Sequence, residues 1–201
     1  MPSPRAQRGR PRQFDEEAVL ERAVEVFWSQ GFDDTSLDDI LDATGMARQS
    51  LYRTFGCKRD LFLRALEIYG RRRRDQLEAL LTQSPSPLAG LLDLLDLWED
   101  DACSADFVGC FNLNTLSEFA VKDDVEVCQR VLDNMKVLEN AVRQALERAQ
   151  ALDEVTLRRT PQQVAHSFVG VAVALSHLGR CGVEPVWVRD ITQGIRAELD
   201  P

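Results

Sequence analysis

"GMARQSLYRTFGCK", Gly45 to Lys58, is the stretch whose reading decides the fold. It carries Arg48, Gln49, Ser50, Tyr52, Arg53 and Lys58 and no acidic residue, in a chain with 33 Asp and Glu against 24 Lys and Arg. Leu51 and Phe55 stand four apart and give it one apolar edge, so the spacing predicts a helix over about Ala47 to Thr54. Upstream, a second short helix is predicted after Thr35-Ser36, with Leu37, Ile40 and Leu41 on its inner face. Asp39 follows Ser36 by three residues, close to a capping box. Thr44-Gly45 makes the turn between them.

Two short helices joined by a tight Gly turn form a helix-turn-helix, whose second helix enters the major groove of DNA. A carboxylate there would face phosphates, which accounts for the acid-free stretch. Arg48 can donate two hydrogen bonds to guanine, and Gln49 can pair with adenine. Ser50 is adaptable. Tyr52 and Lys58 suit phosphate oxygens, which position the protein without reading sequence. Thr35, Ser36 and Arg53 complete the expected DNA face.

Outward from this motif, helical periodicity dominates and no segment sustains strand-like alternation, so the chain reads as all-α with about nine helices. Asp15 caps a first helix that buries Leu20, Ala23, Val24, Phe27 and Trp28 and ends at Gly31. A fourth helix runs from Cys57-Lys58 towards Leu81. "TQSPSP", Thr82 to Pro87, breaks the chain. Further helices are predicted at about Leu88 to Asp101, Ser104 to Phe119 and Asp123 to Ala151, from Thr160-Pro161, and from Pro185 to Leu199. The expected division is a flexible basic arm at 1–13, a helix-turn-helix DNA-binding domain at 14–60, and an effector-binding and dimerisation domain at 61–201. "RRRR", Arg71 to Arg74, reads as a solvated face of the fourth helix.

Net charge is −9, but Met1 to Gln13 holds four Arg and no acid. Acidity overall argues against indiscriminate nucleic-acid binding and leaves room for a local basic surface. Five Cys in no metal-ligand spacing argue against a disulfide framework. No apolar run would span a bilayer and no signal-peptide pattern opens the sequence, so no membrane partner and a cytoplasmic location are expected. With two His and no nucleophile–base–acid cluster or P-loop, neither an enzyme, a cofactor nor a metal site is expected.

"GFDDTSLDDILDATGMARQSLYRTFGCKRDLF", Gly31 to Phe62, resembles the N-terminal module of the TetR family of bacterial transcriptional regulators. Gly31-Phe32, Thr35-Ser36, Ile40, Gly45, Leu51-Tyr52, Phe55, Lys58 and Leu61-Phe62 carry the likeness, which extends over about Phe14 to Tyr69. Ala47 and Cys57 depart from it, standing where capping residues are usual; each lost cap costs about 1 kcal/mol. "RGRPR", Arg8 to Arg12, is similar to a minor-groove hook, which would place Arg8, Arg10 and Arg12 on DNA.

The resemblance implies a homodimer that binds a palindromic double-stranded operator, usually as a repressor, released by a small-molecule effector that shifts the fourth helix. It also implies a four-helix dimer interface from the last two helices. Val171, Ala174, Leu175, Leu178, Trp187, Ile191 and Ile195 are the candidates, and Gly170, Ala172, Ala174 and Ser176 allow close approach. For the effector pocket the candidates are Trp98, Phe107, Cys110, Phe111, Asn112, Asn114, Thr115, Glu118 and Phe119. Gly109-Cys110 looks like the reactive-thiol position of electrophile- and oxidant-sensing members, with Cys57 a second candidate. The competing reading is a helical interaction adaptor whose helix-turn-helix is merely structural.

Overall fold

Asp15 accepts a hydrogen bond from the Glu17 backbone N–H at 3.1 Å and starts α1 (Glu16–Gln30), which closes at Gly31 in a positive-φ conformation. Such a local start and stop recurs along the chain. In the computed structural model, which describes residues 15–199, the elements that follow are α2 (Leu37–Thr44), α3 (Arg48–Phe55), α4 (Lys58–Gln83), α5 (Pro87–Cys103), α6 (Phe111–Ala120), α7 (Val125–Ala151), α8 (Pro161–Arg180) and α9 (Pro185–Leu199). The described residues thus form nine helices and no strand.

The caps explain several boundaries. Ser36 and Asp39 form the full capping box of α2, with the Ser36 N–H bonded to Asp39 Oδ2 at 2.8 Å. Hydrogen bonds from the Ser36 hydroxyl and backbone hold the Asp39 carboxyl below its ordinary value. Ala47 offers α3 no side-chain cap, as expected. Cys57 differs from expectation: the start of α4 is secured from within, because Asp60 accepts the Cys57 N–H at 2.9 Å. Thr160 and Gln163 box the start of α8, with Pro161 at its first position.

α6 starts later than the predicted Ser104. Residues 104–107 form a turn closed by the Phe107 N–H on Ser104 O, and Gly109 takes φ +81°. A Cβ at Gly109 would lie 3.2 Å from the Ser176 carbonyl, so the chain passes against α8 there before entering α6.

Two apolar cores organise the bundle. The first joins α1, α2, α3 and the start of α4 to Phe111 and Phe119 of α6 and Val127 and Val131 of α7. Phe62 is its centre, with ring centroids of Phe32, Phe27, Phe119 and Phe111 at 4.9, 5.1, 5.3 and 5.8 Å. The second core packs α5, α7, α8 and α9 around Leu91, Leu95, Leu146 and Phe168. α4 runs unbroken through residues 60 and 61, so the helix-turn-helix end and the rest of the bundle share one helix.

Candidate nucleic-acid interface and ligand cavity

Leu51 and Phe55 are buried, at 1% and 2% exposure, and Met46 is buried beneath the turn. These three anchors turn the other side of α3 outward. Arg48, Gln49, Tyr52 and Arg53 are exposed and Ser50 is half-buried, so one face presents guanidinium, amide, hydroxyl and phenol groups with no carboxylate on the helix itself. Gly45, at φ +67°, makes the turn that sets α3 against α2.

Three features of this face were not legible in the sequence. Arg48 forms an ion pair with Asp38 on α2, both well exposed, so its guanidinium has an intramolecular partner when DNA is absent. Thr35 is 1% exposed and its hydroxyl donates back to the Gly31 carbonyl, which removes it from the expected DNA face. Lys58 also has partners within the chain: its ammonium donates to the carbonyls of Thr35 and Asp33 and sits 4.5 Å from the centre of the Phe32 ring. It staples the α1–α2 connection to α4. Ser36 is spent on its capping box, though it stays at the surface. Arg8, Arg10 and Arg12 lie outside the described residues.

The reading end is tied to the bundle by named contacts. Glu118 on α6 accepts the backbone N–H groups of Phe32 and Asp33, each at 2.9 Å. Lys122 bridges Glu118 at 3.0 Å and Asp33 at 2.7 Å. Burial pulls the Lys122 pKa down, but its bonds to Asp33 and Glu118 outweigh that and raise it. Arg59 grips both oxygens of Asp124 at the start of α7, at 3.0 and 2.8 Å. The Trp28 Nε1–H donates to the Gly109 carbonyl at 3.1 Å, and its ring stands edge-on to Tyr69.

Between α4, α5, α7 and α8 lies a cavity of about 370 Å³. Its walls include Leu77, Leu94, Trp98, Phe107, Met135 and Leu138, and α1 contributes Trp28 to its floor. Of the expected pocket residues, Trp98, Phe107, Cys110 and Asn112 line it. Phe111, Asn114, Thr115, Glu118 and Phe119 do not. Phe111 and Phe119 fill the first core, Thr115 is 2% exposed, Asn114 donates to the Val108 carbonyl at 2.9 Å, and Glu118 holds the α1–α2 connection. The expectation placed the whole of α6 on the cavity; only its first turn reaches it.

Sequence reasoning missed Trp28, Tyr69, Arg73, Asp101 and Asn134, all cavity residues. Asn134 could have been found, because it stands three residues after Val131 and four before Leu138, on the apolar face of α7. The Arg run divides: Arg71 and Arg72 pair with Glu17 and Glu21 of α1, at 2.8 and 3.7 Å, while Arg73 and Arg74 border the cavity. Tyr69 donates to Cys110 Sγ at 3.5 Å and receives the Phe111 N–H at 3.4 Å; burial first, then the neighbouring Cys110, raises its pKa. Burial raises the Asp101 pKa too, against the pull of Arg73.

The expected dimer residues also divide. Val171, Leu175 and Ile195 are buried in the protomer's own second core, and Leu175 borders the cavity. Ala174, Leu178 and Ile191 are half-buried, and Trp187 is 58% exposed beside Val186 at 49%. A Cβ at Gly170 or Gly194 would meet nothing within 4 Å, so α8 and α9 are open at those positions.

The chain is similar to known regulators over both parts of this architecture. Residues 19–65 match "Bacterial regulatory proteins, tetR family" and residues 87–186 match "Tetracyclin repressor-like, C-terminal domain". The HTH-type transcriptional repressor ComR of Escherichia coli K12 is 31% identical over 150 residues, 74% of this chain and 71% of ComR. The uncharacterized HTH-type transcriptional regulator YezE of Bacillus subtilis 168 is 56% identical over 61 residues, spanning 30% of this chain and 31% of YezE. A solved complex of the TetR family regulator CifR, a cysteine mutant with 26-bp double-strand operator DNA, superposes with a TM-score of 0.76 at 25% identity, covering 94% of this chain and 99% of CifR. The helix-turn-helix, the long shared α4 and the helical bundle behind it therefore have one explanation: this chain belongs to the TetR family of bacterial transcriptional regulators.

Proposed function

We propose that the protein is a repressor that binds a palindromic operator as a homodimer and lets go when a small molecule enters the cavity beside α4. The observation that carries this reading is the outward face of α3, where Arg48, Gln49, Tyr52 and Arg53 stand exposed on a helix without a carboxylate. Arg48 and Gln49 would read base edges, and Ser50, Tyr52 and Arg53 would fix the helix on the groove. The uncapped start of α3 leaves backbone N–H groups free to meet a phosphate. Arg8, Arg10 and Arg12 would add minor-groove contacts. A single helix-turn-helix reads few bases; pairing two copies through the open sides of α8 and α9 doubles them. Trp187, Ala174, Leu178 and Ile191 would lie in that interface.

The CifR complex supports operator binding by a fold of this kind. The cavity touches both Trp28 of α1 and Tyr69, Gly70 and Arg73 of α4, so an occupant meets the helix that carries the DNA-reading end. Cys110 opens on the same cavity, which gives an electrophilic or oxidising effector direct access to a thiol. In this reading the protein is a cytoplasmic, non-enzymatic regulator, with 14–60 reading DNA and 61–201 pairing and sensing. A merely structural helix-turn-helix would not need an exposed, acid-free outer face.

Selection of bound fragments from random DNA, followed by salt titration, tests the reading. A palindromic consensus and an affinity that falls steeply with salt are expected. Arg48→Ala should flatten the preference at one position of each half-site, and Tyr52→Phe should weaken all sequences alike. Binding that ignores both salt and sequence would overturn the proposal.

A further inference from the structure

The inner end of the cavity specifies a polar group. Asn134 of α7 donates from Nδ2 to Asn112 Oδ1 of α6 at 3.4 Å. Among the described residues neither Asn112 Nδ2 nor Asn134 Oδ1 has a protein partner, and no sealed side-chain polar atom lacks one, so both atoms open on the cavity they line. Asn112 is 8% exposed, and a buried amide with half its hydrogen bonds unmade is costly unless something fills the other half. Turning both amides over exchanges their roles and still leaves one donor beside one acceptor.

The space for this pair is built into the backbone. A Cβ at Gly70 on α4 would fall 2.7 Å from Asn134 Nδ2 and 2.9 Å from Oδ1, so only glycine leaves the amide where it is. The other polar groups at this end are already committed. The Tyr69 hydroxyl bonds Cys110 and Phe111, the Trp28 Nε1–H bonds the Gly109 carbonyl, and the Ser176 hydroxyl receives the Cys110 N–H at 2.8 Å. Four charged residues line the cavity, Arg73 and Arg74 against Asp101 and Asp106, so the signs balance.

We propose that the cavity takes an uncharged, mainly apolar molecule whose head group carries an acceptor and a donor side by side, as a carboxamide or lactam does, seated on the Asn112–Asn134 pair. This deepens the reading of the cavity as the effector site and rests on it. An ester of the same shape lacks the donor and leaves the free amide oxygen unmatched. A carboxylate sets a negative charge against that oxygen. A site built to hydrogen-bond a group discriminates strongly against the analogue that lacks it.

The test is calorimetric titration of the full-length protein at pH 8 with three probes matched in size: octanamide, methyl heptanoate and octanoate. Octanamide is expected to bind about tenfold or more tightly than the other two. Asn112→Leu and Asn134→Leu should erase that advantage while keeping the ester's affinity, and Gly70→Ala should reduce it by displacing Asn134. Equal binding of amide and ester by the native protein overturns the head-group proposal and leaves the effector cavity standing. Failure of all three probes to bind overturns both. If a leucine variant loses the ester as well, the native ranking and Gly70→Ala decide.

Discussion

Replacing Glu118 with Ala tests how the reading end is held to the bundle. The Glu118 carboxylate accepts two backbone N–H groups, from Phe32 and Asp33, each at 2.9 Å, and pairs with Lys122 at 3.0 Å. Bonds to a charged acceptor are worth roughly 1.5–3 kcal/mol each. The Phe32 N–H is partly buried and would be left without a partner, so it counts nearly in full. The Asp33 N–H is exposed and can turn to water, so it counts for little. Lys122 keeps its 2.7 Å contact with Asp33, which limits the loss of the ion pair. The expected destabilisation is therefore about 2–3 kcal/mol, read from urea unfolding with an unchanged slope. Glu118→Gln, which keeps an acceptor but drops the charge, should cost about 1 kcal/mol. A Glu118→Ala protein within about 0.5 kcal/mol of the native one would refute the reasoning, because that is the range of surface changes that break nothing.

The remaining expectations concern a cap, a titration and an interface. Ala47 already has the extended backbone of an N-cap, at φ −72° and ψ 139°, so Ala47→Ser should raise stability by about 1 kcal/mol in thermal or urea unfolding. Burial raises the folded-state pKa of Asp101 above the ordinary carboxylate value, so the folded protein binds this proton more tightly than the unfolded chain. Its contribution to stability must then fall as pH rises from about 3.8 through the raised value; Asp101→Asn should gain melting temperature at pH 7 and lose that gain below pH 4. Trp187→Glu should weaken a dimer formed through α9 by at least about 2 kcal/mol, roughly thirtyfold in dissociation constant, measured by sedimentation against concentration. An unchanged dimer would place the interface elsewhere.

What the sequence discloses and what it withholds divide along a physical line. Signals set by neighbours within a turn or two were legible. The capping box of Ser36 and Asp39, the Gly31 and Gly45 stops, Pro161 at the first position of α8 and the inward Leu51–Phe55 edge all stand as read. Each depends on a local hydrogen bond or a 3.6-residue period, and both are written in the order of the residues. What the sequence withholds are contacts made far along the chain. The carbonyls that Lys58 holds belong to residues 33 and 35, across the helix-turn-helix. Glu118 was expected in a pocket because it sits among aromatics and amides, yet the groups it serves lie 85 and 86 residues upstream. Val171, Leu175 and Ile195 were expected at a partner's surface because their helices are apolar on more than one side. Their own second core claims those sides, and leaves the flank marked by Gly170, Gly194 and Trp187 open. An apolar position in a sequence declares that it will be covered. Only the packed fold decides which side of a helix the chain itself covers, and in α8 and α9 that division falls within single helices, one side inward and the other out.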